Sequence, residues 1–174
     1  MIASLLDQDV PWATTTVWQV DERVAPDGDA ARNARQLEAL PCRVRLMPVS
    51  SGNLRRSAHR YGASLPERLD VVHLGLGDDG HTASWPPGDD GPIGSQRPVE
   101  LIDEFNGLPR MTLTRRVVNG ARSRAVLTVG SGKQAMVERW LLRDRTLPIT
   151  AIRTQSTWVF IDEAAAPPAF LPNQ

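Results

Sequence analysis

The chain has 174 residues, and its 20 lysines and arginines balance its 20 aspartates and glutamates, so the formal net charge at pH 7 is zero. This balance excludes a global field that would favour nucleic acid, a charged membrane surface or a cationic partner, and any anion site must therefore be local. The single cysteine, Cys42, excludes an internal disulfide framework and a multi-cysteine zinc site.

Length and hydropathy predict one domain over residues 1–174 in the cytoplasm. A chain of this size buries roughly 70% of its unfolded surface, which is enough for one core. No apolar run approaches the roughly 20 residues of a membrane helix, and the first residues lack the basic start of a secretory signal.

Short runs rich in β-branched residues alternate with segments of helical character. The predicted strands are residues 14–20, 43–47, 69–74, 111–114, 125–129 and 157–161. The predicted helices are residues 30–40, 54–64 and 134–143, and residues 86–98, rich in Pro, Gly and Asp, are expected to form a loop. This alternation predicts an α/β fold with a Rossmann-like, mostly parallel sheet and helices on both faces. Its ligand crevice should lie at the carboxyl ends of the strands.

The first candidate cation follows the strand at residues 14–20. Asp21 and Glu22 precede Arg23, whose guanidinium can hold a phosphate or carboxylate with paired donors. The alternative is a solvated cluster in which Arg23 pairs with its own neighbours.

The most informative stretch is the glycine loop at residues 75–81. Its glycines allow a sharp turn and a close approach to a ligand, so Gly77 and Gly80 are candidate binding positions. Asp79 stands two residues before His81 and can hold the imidazole as a general base that takes a proton from water. Asp78 is the other carboxylate that could face the ring. The alternative is a turn that these side chains merely cap.

Residues 75–80 also satisfy G-x-G-x-x-G, but a dinucleotide site is not expected there. Pro86 and Pro87 would stop the helix that must follow, and Asp78 and Asp79 would repel the phosphates. The three histidines have no metal-ligand spacing. We therefore expect neither an organic cofactor nor a metal.

Two later segments add polar groups. Arg110, Thr112 and Thr114 alternate along a predicted strand, so they share one face, which could bind a phosphorylated sugar or simply be exposed. Gly130-Ser-Gly-Lys133 leads from a strand into a predicted helix and could form an anion site from backbone N–H groups and the Lys133 ammonium.

These motifs, taken in order, resemble the 6-phosphogluconolactonases. The resemblance covers the chain from about Trp12 to Ala166, and it is carried by residues 18–24, 70–84, 110–114, 130–133 and 147–148. It implies hydrolysis of 6-phosphogluconolactone to 6-phosphogluconate without metal or cofactor. His81 would then be the base that activates water, with Asp79 as its orienting carboxylate. Arg23 and Arg110 would lie near the phosphate or the developing oxyanion, and Lys133 matches the family's helix-start lysine.

The glucosamine-6-phosphate deaminases share the fold implied by this resemblance and a related Gly-His loop. They carry Phe-Asn-Glu-Pro where this chain has residues 84–87, Ser-Trp-Pro-Pro, so deamination is the lesser alternative.

Two departures from the family pattern shape the expectations. Trp85-Pro86-Pro87 stands where Leu-Phe-Pro is usual, which we expect to change the pocket wall. The sequence also lacks the family's first strand and its Ser-Gly-Gly phosphate loop, so the domain is expected to be N-terminally truncated. An open sheet edge would then favour self-association or a partner chain. A non-catalytic sugar-phosphate-binding remnant is the alternative function.

Overall fold

Short strands and helices alternate along the computed structural model, which describes residues 2–170. The strands are β1 (Thr16–Trp18), β2 (Asp21–Arg23), β3 (Arg43–Arg45), β4 (Val71–Gly75), β5 (Val99–Phe105), β6 (Leu108–Leu113), β7 (Ser123–Thr128) and β8 (Thr157–Ile161). The α-helices are α1 (Ile2–Leu6), α2 (Leu54–Ser64), α3 (Gly91–Gly94), α4 (Arg115–Gly120) and α5 (Gln134–Leu141). Short 3-10 helices span Trp12–Thr14, Asn33–Leu37, Ser131–Lys133, Pro148–Ala151 and Pro168–Phe170.

The strands form three small sheets, and the predicted α/β class is confirmed. β1 pairs with β3, and β4, β7 and β8 form a second sheet, both entirely parallel. The third sheet, in the order β2-β6-β5, is antiparallel. A tight turn at Asn106-Gly107, with φ angles of 53° and 81°, joins β5 to β6, and this is the turn chemistry that a two-residue hairpin requires.

The core lies on one face of the parallel sheet β4-β7-β8. Val72, Leu74 and Val126 alternate inward along β4 and β7, and each is at most 2% exposed. Val137 and Trp140 of α5 belong to the same buried cluster. This packing fixes the carboxyl end of β4, from which the glycine loop departs.

The opposite face of this sheet is open to solvent. Val71 is 60% exposed, Trp158 66% and Phe160 53%. The strand register places all three on one face, together with Ala125 and Leu127 of β7. A parallel sheet is normally covered on both faces, so an apolar open face is unusual.

Several predicted elements take a different form. Residues 30–40, predicted as a helix, contain only the 3-10 turn Asn33–Leu37, and the predicted loop at 86–98 contains α3. The strand predicted at 14–20 divides into β1 and the separate strand β2, while β5 and α4 were not predicted. No helix within residues 2–170 combines the length and apolar character needed to cross a membrane.

Candidate active site

A cavity of about 420 Å³ lies beside the carboxyl end of β4, where the predicted crevice was placed. Its volume falls in the range of small-molecule sites. Its wall is formed by residues from β2, β4, the glycine loop, β6 and the segment before α5. These residues are Val20, Asp21, Arg23, His73, Leu74, Gly75, Leu76, Gly77, Asp78, His81, Ala83, Arg110 and Lys133.

His81 and Asp79 form a hydrogen-bonded couple at this cavity. Nδ1 of His81 lies 2.5 Å from Oδ1 of Asp79, and the same oxygen accepts the His81 backbone N–H at 3.0 Å. Burial alone would raise the pKa of Asp79, but the hydrogen bonds from the His81 backbone and ring hold that pKa below its ordinary value. An ionised Asp79 favours the proton on Nδ1, which leaves Nε2 as an acceptor. Asp79, and not Asp78, is thus the carboxylate that contacts the ring.

Two glycines shape the loop that carries His81. A Cβ on Gly77 would lie 2.0 Å from Nδ1 of His81, so only glycine leaves room for the imidazole. Gly80 has a φ of 86°, and a Cβ there would lie 2.6 Å from Cδ2 of Leu147. Gly77 therefore lines the cavity as expected, whereas Gly80 packs against Leu147 on the other side of the loop.

Arg23 and Arg110 face each other across the β2-β6 pair and both line the cavity. Nη1 of Arg23 donates to the Ala31 carbonyl at 2.6 Å and to Oδ1 of Asn33 at 3.0 Å. Arg110 donates from Nε and Nη2 to the Phe105 carbonyl, at 3.1 and 2.8 Å. Burial and the charge of Arg23 lower the pKa of Arg110, which still remains a cation at neutral pH. Neutral oxygens accept these hydrogen bonds, and among residues 2–170 neither guanidinium lies within ion-pair distance of a carboxylate, so both can still contact an anionic ligand directly.

Glu22 anchors the segment that positions Arg23. Its side chain is fully buried, and its carboxylate accepts hydrogen bonds from the backbone N–H groups of Arg23, Asn33 and Ala34 at 2.7, 2.7 and 2.9 Å. Burial would raise the pKa of Glu22, yet these bonds and those from Gln19 and Arg32 hold that pKa below its ordinary value. In the sequence, Glu22 is recognisable only as one member of a charge cluster with Asp21 and Arg23.

Phe105 connects the histidine to the arginines. Its ring meets His81 edge-on, with centroids 4.9 Å apart, and the Arg110 guanidinium carbon lies 5.3 Å from the centroid of the Phe105 ring. The aromatic ring thereby restricts the positions of both side chains. Phe105 was not predicted as a site residue, because strand β5, which it ends, was not predicted.

Lys133 reaches the cavity from the 3-10 turn before α5. Its Nζ lies 2.5 Å from Oδ1 of Asp78, and their side chains are 26% and 81% exposed. The nearby Gly130 N–H donates to both carboxylate oxygens of Asp162, at 2.9 and 3.1 Å. Carboxylates of the chain itself therefore occupy part of the predicted anion site.

The model of the family described as glucosamine-6-phosphate isomerases/6-phosphogluconolactonase matches residues 1–161. The chain belongs to this family. The 6-phosphogluconolactonase of Pseudomonas aeruginosa is 30% identical over 168 residues, which are 86% of this chain and 71% of that protein. The human GDH/6PGL endoplasmic bifunctional protein is 32% identical over 168 residues, but this chain spans only 21% of its length.

Solved structures of family members have the same fold. The 6-phosphogluconolactonase of Thermotoga maritima superposes with a TM-score of 0.80, covering 91% of this chain and 77% of its own, at 24% identity. A monomeric glucosamine-6-phosphate deaminase superposes with a TM-score of 0.77 at 16% identity, covering 94% of this chain and 79% of its own. These similarities confirm the fold implied by the motifs.

Two of the predicted wall positions lie elsewhere. Thr112 is fully buried; its Oγ1 accepts from the Ser84 N–H and donates to the Leu113 carbonyl, both at 3.2 Å, so it supports the loop from behind. Trp85 is also fully buried and donates from its indole N–H to the Leu113 carbonyl at 2.8 Å. The expectation that Thr112 binds the ligand is therefore wrong, and within the segment Trp85-Pro86-Pro87 the Trp85 side chain does not reach the pocket wall, because both side chains are buried in the interior.

Asp21 is a site residue without a predicted role. Its Oδ2 accepts hydrogen bonds from Oγ of Ser84 at 2.8 Å and from Nδ2 of Asn33 at 3.3 Å, which ties the end of the glycine loop to β2. Burial raises the pKa of Asp21, against the opposing effects of the Ser84 hydrogen bond and the Arg110 charge. In the sequence, Asp21 stands out only by its position two residues before Arg23.

A larger cavity, of about 490 Å³, lies between residues 86–93 and 143–151. Its wall includes Asp89, Asp90, Arg143 and Arg145, and it contains none of the predicted site residues. Within residues 2–170, no group of three His, Cys, Asp or Glu side chains is arranged to hold a metal ion.

Proposed function

We propose that this protein hydrolyses 6-phosphogluconolactone to 6-phosphogluconate, with His81 as the base that activates water. One observation carries the proposal: His81, which is hydrogen-bonded to Asp79, lines the same cavity as the three cations Arg23, Arg110 and Lys133. The family relationship and the lactonases at about 30% identity support it.

In the proposed reaction, Nε2 of His81 takes a proton as the water oxygen attacks the lactone carbonyl carbon. The carbonyl oxygen becomes an oxyanion, and the imidazolium is stabilised by the ionised Asp79. When the tetrahedral intermediate collapses, the bond from the carbonyl carbon to the ring oxygen breaks. The imidazolium then returns its proton to that oxygen, which leaves as a hydroxyl, and His81 is neutral again.

The cations supply the binding and electrostatic part of the proposal. Paired guanidinium donors suit a phosphate dianion or a developing oxyanion, and Arg23 and Arg110 are fixed in place by carbonyl and amide oxygens. Lys133 lines the same cavity as a third cation, which is paired with Asp78. We assign Arg23 to the reacting centre and Arg110 and Lys133 to the phosphate, with Gly77 providing space for the imidazole.

The direct test is a hydrolysis assay of the parent protein on 6-phosphogluconolactone, corrected for spontaneous opening, beside a calorimetric titration with 6-phosphogluconate. Turnover together with binding supports the proposal. Binding without turnover would instead support a sugar-phosphate-binding protein, the alternative function. Ammonia release from glucosamine 6-phosphate, assayed in parallel, would indicate the deaminase chemistry of the other half of the family.

We further propose that the open face of the sheet β4-β7-β8 associates with a second copy of this chain. Val71, Trp158 and Phe160 present a continuous apolar surface, and exposed apolar patches of this kind mark interaction sites. The zero formal net charge removes long-range repulsion between two copies. His73 and Gly75 lie on this face and also line the cavity, so a partner there would extend the cavity wall.

A single domain over residues 1–174 and a cytoplasmic location are also proposals. The location rests on the unpaired thiol of Cys42, which is typical of a reducing compartment. Limited proteolysis should give one protected core, and subcellular fractionation tests the location.

A further inference from the structure

The Lys133 ammonium already holds an anion that belongs to its own chain. Nζ of Lys133 lies 2.5 Å from Oδ1 of Asp78, and both residues line the candidate active site. Arg23 and Arg110, the other two cations of this wall, donate to carbonyl and amide oxygens instead. Of these three cations, Lys133 is the one that forms an ion pair with a carboxylate among the described residues, so a ligand meets that carboxylate first at Lys133.

The two partners differ in how they are held. Lys133 is partly buried at the start of α5, with 26% of its side chain exposed, whereas 81% of the Asp78 side chain is exposed. An exposed ion pair contributes little to stability and is screened by salt. The pair can therefore break at a small cost, and Asp78 regains its hydration as soon as it leaves Lys133.

We propose that Asp78 is a resident counter-anion that the ligand's phosphate must displace from Lys133, and that it sets how tightly the site holds phosphorylated substrate and product. This inference rests on the proposed function. Asp78 acts through Lys133 and is therefore a positioning residue. It weakens the binding of any ligand whose anion uses Lys133, and it returns to Lys133 as the phosphorylated product leaves.

Asp78 can leave Lys133 without removing the carboxylate that orients the base. That carboxylate belongs to the next residue, Asp79, which is hydrogen-bonded to the His81 ring and backbone. Removing the Asp78 charge should therefore change ligand affinity more than the chemical step. A KM that falls while the maximal rate holds or declines through slower product release would be its kinetic signature.

The test is a calorimetric titration with 6-phosphogluconate, which requires no turnover, on the parent protein and on Asp78→Asn. We expect the dissociation constant to fall about two- to five-fold in Asp78→Asn at low ionic strength, and the difference to shrink as salt is added. Asp70→Asn is the matched control, because Asp70 is an exposed aspartate paired with Arg122 at 2.9 Å and lies outside the cavity wall.

A second pair of variants tests whether the effect passes through Lys133. In a Lys133→Met background, Asp78→Asn should change the dissociation constant by less than in the parent, because the ammonium for which the two anions compete is gone. An equal effect in both backgrounds, or unchanged or weaker binding in Asp78→Asn alone, would overturn the inference. Hydrolysis by the parent protein would then leave the proposed function standing, whereas a parent that neither binds 6-phosphogluconate nor hydrolyses the lactone would contradict both.

Discussion

At the scale of single residues, the candidate site depends on space as much as on charge. The His81 ring occupies the volume that a side chain at position 77 would need. One carboxylate oxygen of Asp79 then contacts both Nδ1 of the ring and the His81 backbone N–H, which fixes the ring relative to the loop. The motif in the sequence predicted both the histidine and its carboxylate, because their spacing of two residues is a local property. The motif did not predict that Gly77 makes room for the imidazole, because that close approach depends on where the folded loop places the ring.

Replacing Gly77 with Ala should displace the imidazole and lower lactone hydrolysis by about 100-fold, the usual cost of misplacing a reacting group by roughly 1 Å. The added Cβ would lie 2.0 Å from Nδ1 of His81, which forces the ring to move. NMR of the His81 ring protons should show the loss of the hydrogen bond to Asp79.

Gly75→Ala is the control for this loop, because a Cβ there would meet only the Leu127 carbonyl oxygen, at 4.0 Å. The His81 ring signals should be retained in that variant. A Gly77→Ala protein with parental ring signals and rate would show that the close approach does not fix the imidazole.

Glu22 makes the second residue-scale prediction, which concerns stability and pH. Because the pKa of Glu22 is below its ordinary value of 4.5 in the folded protein, its contribution is fully present above that value and is lost as the pH falls through the folded-state pKa. Glu22→Gln should lower the free energy of unfolding by about 3 kcal/mol at pH 7, since it removes a buried charge from its partners. The difference from the parent should shrink below pH 4.5.

Denaturant unfolding of the parent and Glu22→Gln between pH 3.5 and 7 measures the difference in their unfolding free energies. This pH range includes the ordinary pKa of a glutamate. Glu67→Gln is the control, because Glu67 is exposed and its removal should leave the unfolding free energy nearly unchanged. A Glu22→Gln deficit that stays constant across this pH range would contradict an ionised, hydrogen-bonded Glu22.

At the scale of elements, runs of apolar and β-branched residues predicted several of the strands and one of the longer helices. The expected strands at 43–47, 69–74, 125–129 and 157–161 correspond to β3, β4, β7 and β8, and the helix at 54–64 matches α2. β2 was missed because Asp21, Glu22 and Arg23 carry no apolar pattern, and its strand geometry comes from pairing with β6. The helix expected at 30–40 shortens to Asn33–Leu37, which buries no side chain that could support further turns. The hairpin of β5 and β6 had a usable signal in Asn106-Gly107.

At the scale of the whole molecule, the sequence predicted which residues meet at the cavity better than it predicted how their side chains are held. The glycine loop, Arg23, Arg110 and Lys133 do share one cavity. Contacts between segments distant in the sequence could not be predicted, because they leave no local sequence pattern. Phe105 against His81 and Asp78 on Lys133 are of this kind. The same limit explains why Thr112, read as one of a row of donors, is in fact buried.

The open face of the sheet β4-β7-β8 is the proposed contact between two copies of the chain. If a second copy covers it, size-exclusion chromatography with light scattering should show a dimer that dissociates on dilution. A variant with Trp158→Ser and Phe160→Ser should remain monomeric, because both are large aromatic side chains that are more than half exposed on that face. The same pair of changes should not lower the stability of the monomer. A parent protein that is monomeric at every concentration would contradict self-association and direct attention to a different partner chain.

The proposed function requires His81 to act as a base on a lactone in this cavity. The decisive experiment compares 6-phosphogluconolactone hydrolysis by the parent protein, His81→Ala and His59→Ala. His59 lies exposed on α2 and is the matched control. We expect His81→Ala to lower the rate above spontaneous opening by about 10²- to 10⁴-fold, and His59→Ala to keep the parental rate. A His81→Ala protein with the parental kcat/KM would contradict this role of His81.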